Sequence, residues 1–316
     1  MRKTIGKALV TGGAGFIGSN LVDALLREGT DVKVLDNLST GRLENLEHVE
    51  RQIEFKQGDI RDLETVKSIC HGCDIVFHQA AVVSVPQTVR DPLMSAAVND
   101  MGTLQVLEAA RIAGVKRVVL ASSCAVYGDD PELPKQEHML ARPQSPYAVQ
   151  KYTSEMNAGL YYELYGLETV CLRYFNVFGP RQDPTSPYSG VISIFMASAA
   201  QGRQPIVYGN GDQYRDFVFV NDVVNANLLA ATADEAKGGV FNIGTGQCVT
   251  INALWNKISA MVGIDLRPLY ADPRAGDILE SVADIGRARS ALDYEVNYAF
   301  DDGLRLTHEW YRINSS

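Results

Sequence analysis

The chain reads as an α/β protein: a doubly wound parallel sheet with a smaller α/β lobe in the C-terminal part. Three observations predict this. Short β-branched apolar runs alternate with longer segments of helical period through the first half. The first run opens into a glycine-rich turn and then a helix. The 316 residues are 46% hydrophobic and 21% charged, enough to bury a large core and too apolar for disorder.

The predicted strands occupy residues 7–11, 31–35, 53–57, 74–78, 117–122 and 168–173. Between them, residues 17–27, 93–113 and 148–165 repeat apolar side chains at three and four, with lengths that suit crossover helices over a parallel sheet. After Arg173 the pattern loosens, with turn formers from Gly179 to Gly190, then Pro205 and residues 209–211. Order returns with a strand at 217–220, a helix from 221 to about 233 and a run at 239–243. These later elements are expected to rejoin the first sheet. The main domain is therefore read as 1–174 completed by about 213–245, and the second lobe as 175–212 with 246–316.

Composition removes several classes of function. Lys and Arg number 29 against 38 Asp and Glu, a net charge of −9, which argues against a generic binder of nucleic-acid backbones or anionic membranes. No uncharged apolar stretch approaches the roughly 18 residues that span a bilayer, and glycines interrupt the start where a signal peptide needs an apolar block. The expected location is cytoplasmic. Five scattered cysteines do not form a disulfide framework. Cys70-His71-Gly72-Cys73 has the CxxC spacing but no second pair and no thioredoxin-like context, so it reads as a helix end followed by a strand, and no metal is expected.

The first strand, Ala8-Leu9-Val10, runs into a turn with Gly12, Gly15 and Gly18. Glycines there permit a tight turn and bring a diphosphate close to backbone N–H groups at the positive end of a helix, while Gly18 allows close packing of helix on strand. Asp36 lies 18 residues after Gly18 at the end of the second strand, placed to accept from both hydroxyls of an adenine ribose. A 2′-phosphate would meet its charge, and no arginine follows in Asn37-Leu38-Ser39, so the expected cofactor is NAD rather than NADP. Asp59 closes the third strand, either near the adenine or as a turn aspartate.

Tyr147 and Lys151 stand at i and i+4, with Pro146 where a helix can begin. One turn of helix puts both side chains on one face, about 6 Å apart along the axis. An ammonium beside a phenol is expected to stabilise the phenolate and lower its pKa towards that of a general base. Upstream, Ser122 and Ser123 end the fifth strand at the carboxyl edge of the sheet, where doubly wound folds bind ligands. Ser123 is placed to hydrogen-bond a reacting hydroxyl, or else its own strand-end backbone. Cys124 has no evident base beside it and is not read as a nucleophile.

Together with His78-Gln79-Ala80-Ala81 and Arg173-Tyr174-Phe175-Asn176-Val177-Phe178-Gly179-Pro180, these motifs make the chain, over essentially its whole length, resemble the extended short-chain dehydrogenase/reductase family, and within it the nucleotide-sugar 4-epimerases. The resemblance implies a Rossmann-type NAD-binding domain. It makes Tyr147 the acid/base, Lys151 the group that holds the nicotinamide ribose and tunes the tyrosine, and Ser123 the hydroxyl partner. It carries cofactor contacts to Gly12, Gly15, Phe16, Ile17, Asp36, Asn37, Asp59, Ile60, Gln79, Ala80, Ala81 and Asn99. Substrate contacts are implied for Ser84, Asn176, Val191, Tyr208, Arg215, Arg274, Asp277 and Ser281, with the arginines on phosphate or nucleotide and Asp277 on the uridine ribose.

Related dehydratases carry Thr-Asp-Glu after the strand, and decarboxylases carry a Glu there. Here the triplet is Ser123-Cys124-Ala125, with no carboxylate, which suits oxidation and reduction at one carbon. The expected reaction is NAD-dependent inversion of C4 of a UDP-hexose through a 4-keto sugar. Ser281, four positions after Asp277, stands where a bulky tyrosine crowds a 2-acetamido group in plain-hexose enzymes. UDP-GlcNAc and UDP-GalNAc are thus the expected pair, with UDP-Glc and UDP-Gal as rivals or second substrates. Val83 departs from the family, standing where many glucose-type enzymes carry a lysine near the cofactor phosphates. An idle NAD-binding scaffold is the alternative of another class, and retention of Ser123, Tyr147 and Lys151 argues against it. A homodimer pairing residues 93–113 and 147–165 in four helices is implied by the family alone.

Overall fold

The computed structural model describes residues 4–183, 190–273 and 280–314. The chain opens with β1 (Lys7–Thr11), α1 (Phe16–Arg27), β2 (Asp31–Asp36), β3 (Ile53–Gln57), α2 (Leu63–Cys70) and β4 (Ile75–His78). Short helices α3 (Val85–Arg90) and α4 (Pro92–Ala96) follow, then a π-helical turn (Ala97–Gly102), α5 (Thr103–Ala113), β5 (Arg117–Ser123), α6 (Pro146–Tyr165) and β6 (Glu168–Tyr174). The remainder comprises β7 (Asn176–Phe178), α7 (Val191–Ala200), β8 (Ile206–Tyr208), β9 (Tyr214–Arg215), β10 (Phe217–Phe219), α8 (Val220–Thr232), β11 (Gly239–Ile243), β12 (Val249–Thr250), α9 (Ile251–Val262), β13 (Leu269–Ala271), β14 (Glu280–Ser281), α10 (Gly286–Leu292) and α11 (Phe300–Asn314).

Seven strands form one parallel sheet in the order β11-β6-β5-β4-β1-β2-β3. β1 is central, with Val10 opposite Val34 of β2 and Phe77 of β4. Because the chain steps one way from β1 to β3 and the other way from β4 to β11, a crevice opens at the carboxyl ends of β1 and β4, the switch point where such sheets bind ligands. Both faces are covered. Val10, Val34 and Phe77 share one fully buried cluster with Leu21 and Leu25 of α1 and Val223 of α8. Leu9, Leu35 and Val76 share the other with Val66 of α2 and Val106 and Leu107 of α5.

One expectation is refined and one corrected. The helix predicted over 93–113 is present as a continuous helical run, with residues 97–102 widened into a π-helical turn. Pro92 starts a short helix capped by Asp91, whose carboxylate accepts from Met94 N at 3.0 Å, and the turn then widens around Asn99. The wide turn carries Asn99 to the 82 loop, where its amide donates to Val82 O at 2.9 Å and accepts from Val82 N at 2.8 Å. The return to the main sheet also begins later than residue 213. β9 pairs with β12 and β14, and β10 pairs with β7, so α8 and β11 alone complete the sheet. The reason is local: the Asp216 carboxylate, between β9 and β10, accepts from Thr245 N (2.8 Å), Gly246 N (2.9 Å) and Ala283 N (3.1 Å). These bonds tie the 214–219 stretch to the loop after β11 and to the segment after β14 rather than into the main sheet's strand ladder. No helix among the described residues is long and apolar enough to cross a membrane.

Candidate active site

A cavity of about 890 Å³ runs along the carboxyl edge, from Gly12, Gly15, Phe16 and Ile17 past Asp36 to Ser123, Tyr147 and Lys151. Its floor is built by the glycine turn. Gly12 has φ +70°, and a Cβ there would lie 2.7 Å from Ala80 N; one at Gly18 would lie 2.1 Å from Gly12 O. Among the described residues no side chain caps α1 at Gly15, which leaves the first-turn N–H groups unspent by side chains at the cavity. Asp36 is buried, accepting from Ala14 N at 2.9 Å and Leu38 N at 2.8 Å. Burial pushes its carboxyl pKa up, and the two N–H groups oppose that rise. A glycine turn whose close backbone packing leaves no room for β-carbons, an open helix start and an oriented carboxylate at one end of a long cavity fit a dinucleotide with a free ribose diol.

Asn37, Ile60, Gln79, Ala80, Ala81 and Ser84 line the same cavity. Asp59 and Asn99 stand behind its wall. Arg61 grips Asp59 through two 2.9 Å bonds, Asn37 Nδ2 donates to it at 2.9 Å, and these partners hold its pKa down to about 2. Asn99 spends its amide on Val82 and on Gln150 Oε1 at 2.7 Å, and so shapes the wall from outside.

Helix α6 delivers the tyrosine and lysine. Ser145 caps it, accepting from Ala148 N at 3.2 Å, and Pro146 takes the first helical position with its fixed φ. Tyr147 thereby meets the end of β5, where it and Ser123 line the cavity; burial raises the phenol's pKa and the Ser123 hydroxyl acts to lower it. Lys151 Nζ lies 5.9 Å from the Tyr147 ring centroid and donates to Ala121 O at 2.8 Å. The electrostatics differ from the sequence expectation. Burial pushes the Tyr147 phenol up to about 12, outweighing the lowering by Ser123, and pulls Lys151 down to about 8. In the protein alone, desolvation wins over the neighbouring ammonium.

Sequence reasoning missed the support beneath this pair. Ser122 Oγ donates to Glu155, and Arg173 clasps the same carboxylate through Nε (2.9 Å) and Nη2 (2.7 Å). Glu155 and Arg173 are both buried. The available signal was the second i+4 step, from Lys151 to Glu155 on the face already chosen. Arg42, Arg61 and Arg181, none of them singled out from sequence, also line the cavity.

In the second lobe, strand register sets Ser281 of β14 beside Arg215 of β9. Ser281 is buried, and burial pushes the Cys124 thiol at the end of β5 up to about 11 while Ser281 acts to lower its pKa. Asn176 begins β7 and donates through Nδ2 to Asp216 O at 3.1 Å, Val191 begins α7, and Tyr208 ends β8. Arg274 and Asp277 lie outside the described residues.

The family model that matches residues 8–244 describes an NAD dependent epimerase/dehydratase family. A UDP-glucose 4-epimerase of Mycolicibacterium smegmatis is 41% identical over 313 residues, covering 98% of this chain and 99% of its own. Among solved structures, a UDP-N-acetylglucosamine 4-epimerase from Methanobrevibacter ruminantium M1, in complex with UDP-N-acetylmuramic acid, superposes with TM-score 0.94 at 39% identity, covering 98% of this chain and 99% of that one. The UDP-glucose 4-epimerase of Thermus thermophilus, in complex with NAD, gives TM-score 0.88 at 38% identity, covering 97% and 99%. With its Rossmann-type sheet, glycine cradle and Tyr147/Lys151 helix, the chain belongs to the NAD-dependent epimerase/dehydratase family of extended short-chain dehydrogenases/reductases.

Proposed function

We propose that this enzyme inverts C4 of a UDP-hexose through a 4-keto intermediate, acting on UDP-GlcNAc and UDP-GalNAc and, as a second pair, on UDP-Glc and UDP-Gal. The observation that carries the reading is that Tyr147, Lys151 and Ser123 meet in one cavity at the end of β5, with Cys124 and Ala125 following where a second acid or base would stand. NAD-dependent UDP-sugar 4-epimerase chemistry is also what the named relatives support.

Tyr147 takes the proton of the C4 hydroxyl and returns one to the 4-keto oxygen after the sugar has turned. Ser123 shares that proton's hydrogen bond and keeps the phenol oriented. Lys151, bonded to Ala121 O, holds a positive charge one helical turn below. When bound, NAD+ supplies the hydride acceptor for C4 and a positive ring charge that favours the phenolate. Glycines 12, 15 and 18 with the open start of α1 would hold its diphosphate, and Asp36 the adenine ribose. Arg215 and Asn176 hold the nucleotide end of the substrate, so that the hexose is free to rotate.

The acetamido preference rests on Ser281, a small buried side chain beside Arg215 and Cys124, where a tyrosine would fill the space a 2-acetamido group needs. Two comparisons decide the reading. Purified protein given UDP-GlcNAc without added cofactor is expected to yield UDP-GalNAc; stoichiometric NADH accumulation would instead mark a net dehydrogenase, and no product from NAD-loaded protein an idle scaffold. Ser281→Tyr is expected to lower kcat/KM for the acetylated pair by at least about tenfold while sparing the plain hexoses, since such a clash costs about 1–3 kcal/mol. Equal loss of both would remove Ser281 as the selector. The reading includes self-association. Met101, Ile112, Val149, Met156, Leu160 and Leu164 stand exposed on the π-helical turn, α5 and α6, an apolar face that suits a second copy of the chain.

A further inference from the structure

Residues 180–183 join the two lobes by contacts that no sequence pattern announced. On the second-lobe side the segment is anchored by Gln182, which donates through Nε2 to Val177 O (3.2 Å), accepts from Ser193 Oγ (2.7 Å) and offers its carbonyl to the Tyr311 hydroxyl (2.5 Å). On the other side it is fastened to the NAD domain three times. Asn20 of α1 donates to Pro180 O at 3.2 Å, Arg181 Nη2 donates to Asp23 of α1 at 2.7 Å, and Arg42 from the loop after β2 donates to Asp183 at 2.5 Å. Arg42, Arg181, Gln182 and Asp183 all line the cavity that holds the glycine turn and Asp36.

The arrangement is costly. Arg181 carries a β-carbon in the left-handed region, φ +73°, and its Nη1 is buried without a hydrogen-bond partner among the described residues. Strain and an orphaned donor of this kind persist where the surroundings impose them for a purpose. The chemistry proposed above supplies one. A cofactor that is oxidised and reduced within each turnover is best kept in place.

We propose that residues 180–183 form a clasp, with the Arg42–Asp183 and Arg181–Asp23 pairs locking the second lobe onto the NAD domain and setting the residence time of the dinucleotide. The proposal rests on the NAD-binding half of the functional reading and not on the choice of sugar. Its test therefore uses none. Holoenzyme is mixed with isotopically labelled NAD+, and exchange of the bound cofactor is followed after rapid desalting. Arg42→Gln, Asp183→Asn and Asp23→Asn are each expected to speed exchange about fivefold, the scale of a partly exposed ion pair. The reversed pair Arg42→Asp/Asp183→Arg is expected to return within about twofold of the parent. Salt at 1 M is expected to speed the parent towards the single variants, because the Arg42–Asp183 pair is partly exposed, 56% and 33%.

Unchanged exchange in all three single variants overturns the clasp. So does a reversed pair as fast as the singles, since Arg42 would then be acting on the cofactor directly. Uptake of NADP+ by Asp183→Asn without faster exchange also overturns it, leaving Arg42 as a selector at the ribose. Both members of that pair sit near the surface, and retained thermal melting of the variants separates a lost clasp from a lost fold. Faster exchange in protein that epimerises no UDP-sugar would keep the clasp and sink the functional reading.

Discussion

At the scale of single residues, burial governs the site. Tyr147, pushed up to about 12, is almost wholly protonated at neutral pH in the protein alone, so the reaction depends on positive charge gathered beside it. Tyr147→Phe is expected to lower kcat by about a thousandfold while the purified protein keeps its NAD, measured as nucleotide released on denaturation. Equal loss of both would make the phenol a cofactor anchor instead. Lys151, pulled down to about 8, keeps its proton below that pH and sheds it above. The kcat/KM profile is therefore expected to fall on the alkaline side near pH 8, and Lys151→Arg, whose guanidinium stays charged, to flatten that limb even at lower turnover. An unmoved limb would assign it to another group. Tyr147, Lys151 and Ser123 were legible because four-residue spacing on a helix and the end of a parallel strand are statements about geometry. Their pKa directions were not, because desolvation depends on every neighbour.

At the scale of elements, α6 is fixed against β5 and β6 by the Ser122–Glu155–Arg173 network. The same helix carries Tyr147 and the same strand end carries Ser123, so the network sets how the two meet. Removing one partner strands the other charge in the core. Glu155→Ala is expected to cost about 3–5 kcal/mol in urea unfolding. Glu155→Gln, which keeps the volume, should retain more of the fold, and its reduced kcat with unchanged NAD content would read out the positioning. Stability loss with undiminished kcat in the folded fraction would confine Glu155 to the core. Element ends were well read where chemistry marks them. Residues 7–11 and 53–57 are β1 and β3, and α6 begins at the predicted Pro146. The 93–113 helix is present, but its π-helical turn at 97–102 went unread, because apolar periodicity is blind to an asparagine tethered to a distant loop.

At the scale of the molecule, the apolar side chains on α5 and α6 stand exposed among the described residues, and the proposed self-association would cover them. Met156→Asp with Leu160→Arg is expected to convert a dimer into monomers in sedimentation velocity, with the main sheet intact by circular dichroism. A parent that sediments as a monomer at micromolar concentration would refute the self-association. The amino-acid order alone determined the sheet class, the glycine turn, the carboxylate that ends β2 and the placing of Tyr147 and Lys151 on one helix, because each follows from periodicity or from short spacing along the chain. Contacts between distant segments were decided only in three dimensions. Ser281 meets Arg215 and Cys124 through strand register and lobe closure, β9 and β10 leave the main sheet because Asp216 ties them elsewhere, and Asp183 reaches Arg42 from 141 positions further along the chain. The physical reason is that such contacts exist once loops close and water leaves, and the energy of a buried charge belongs to the assembled surroundings rather than to its neighbours along the chain.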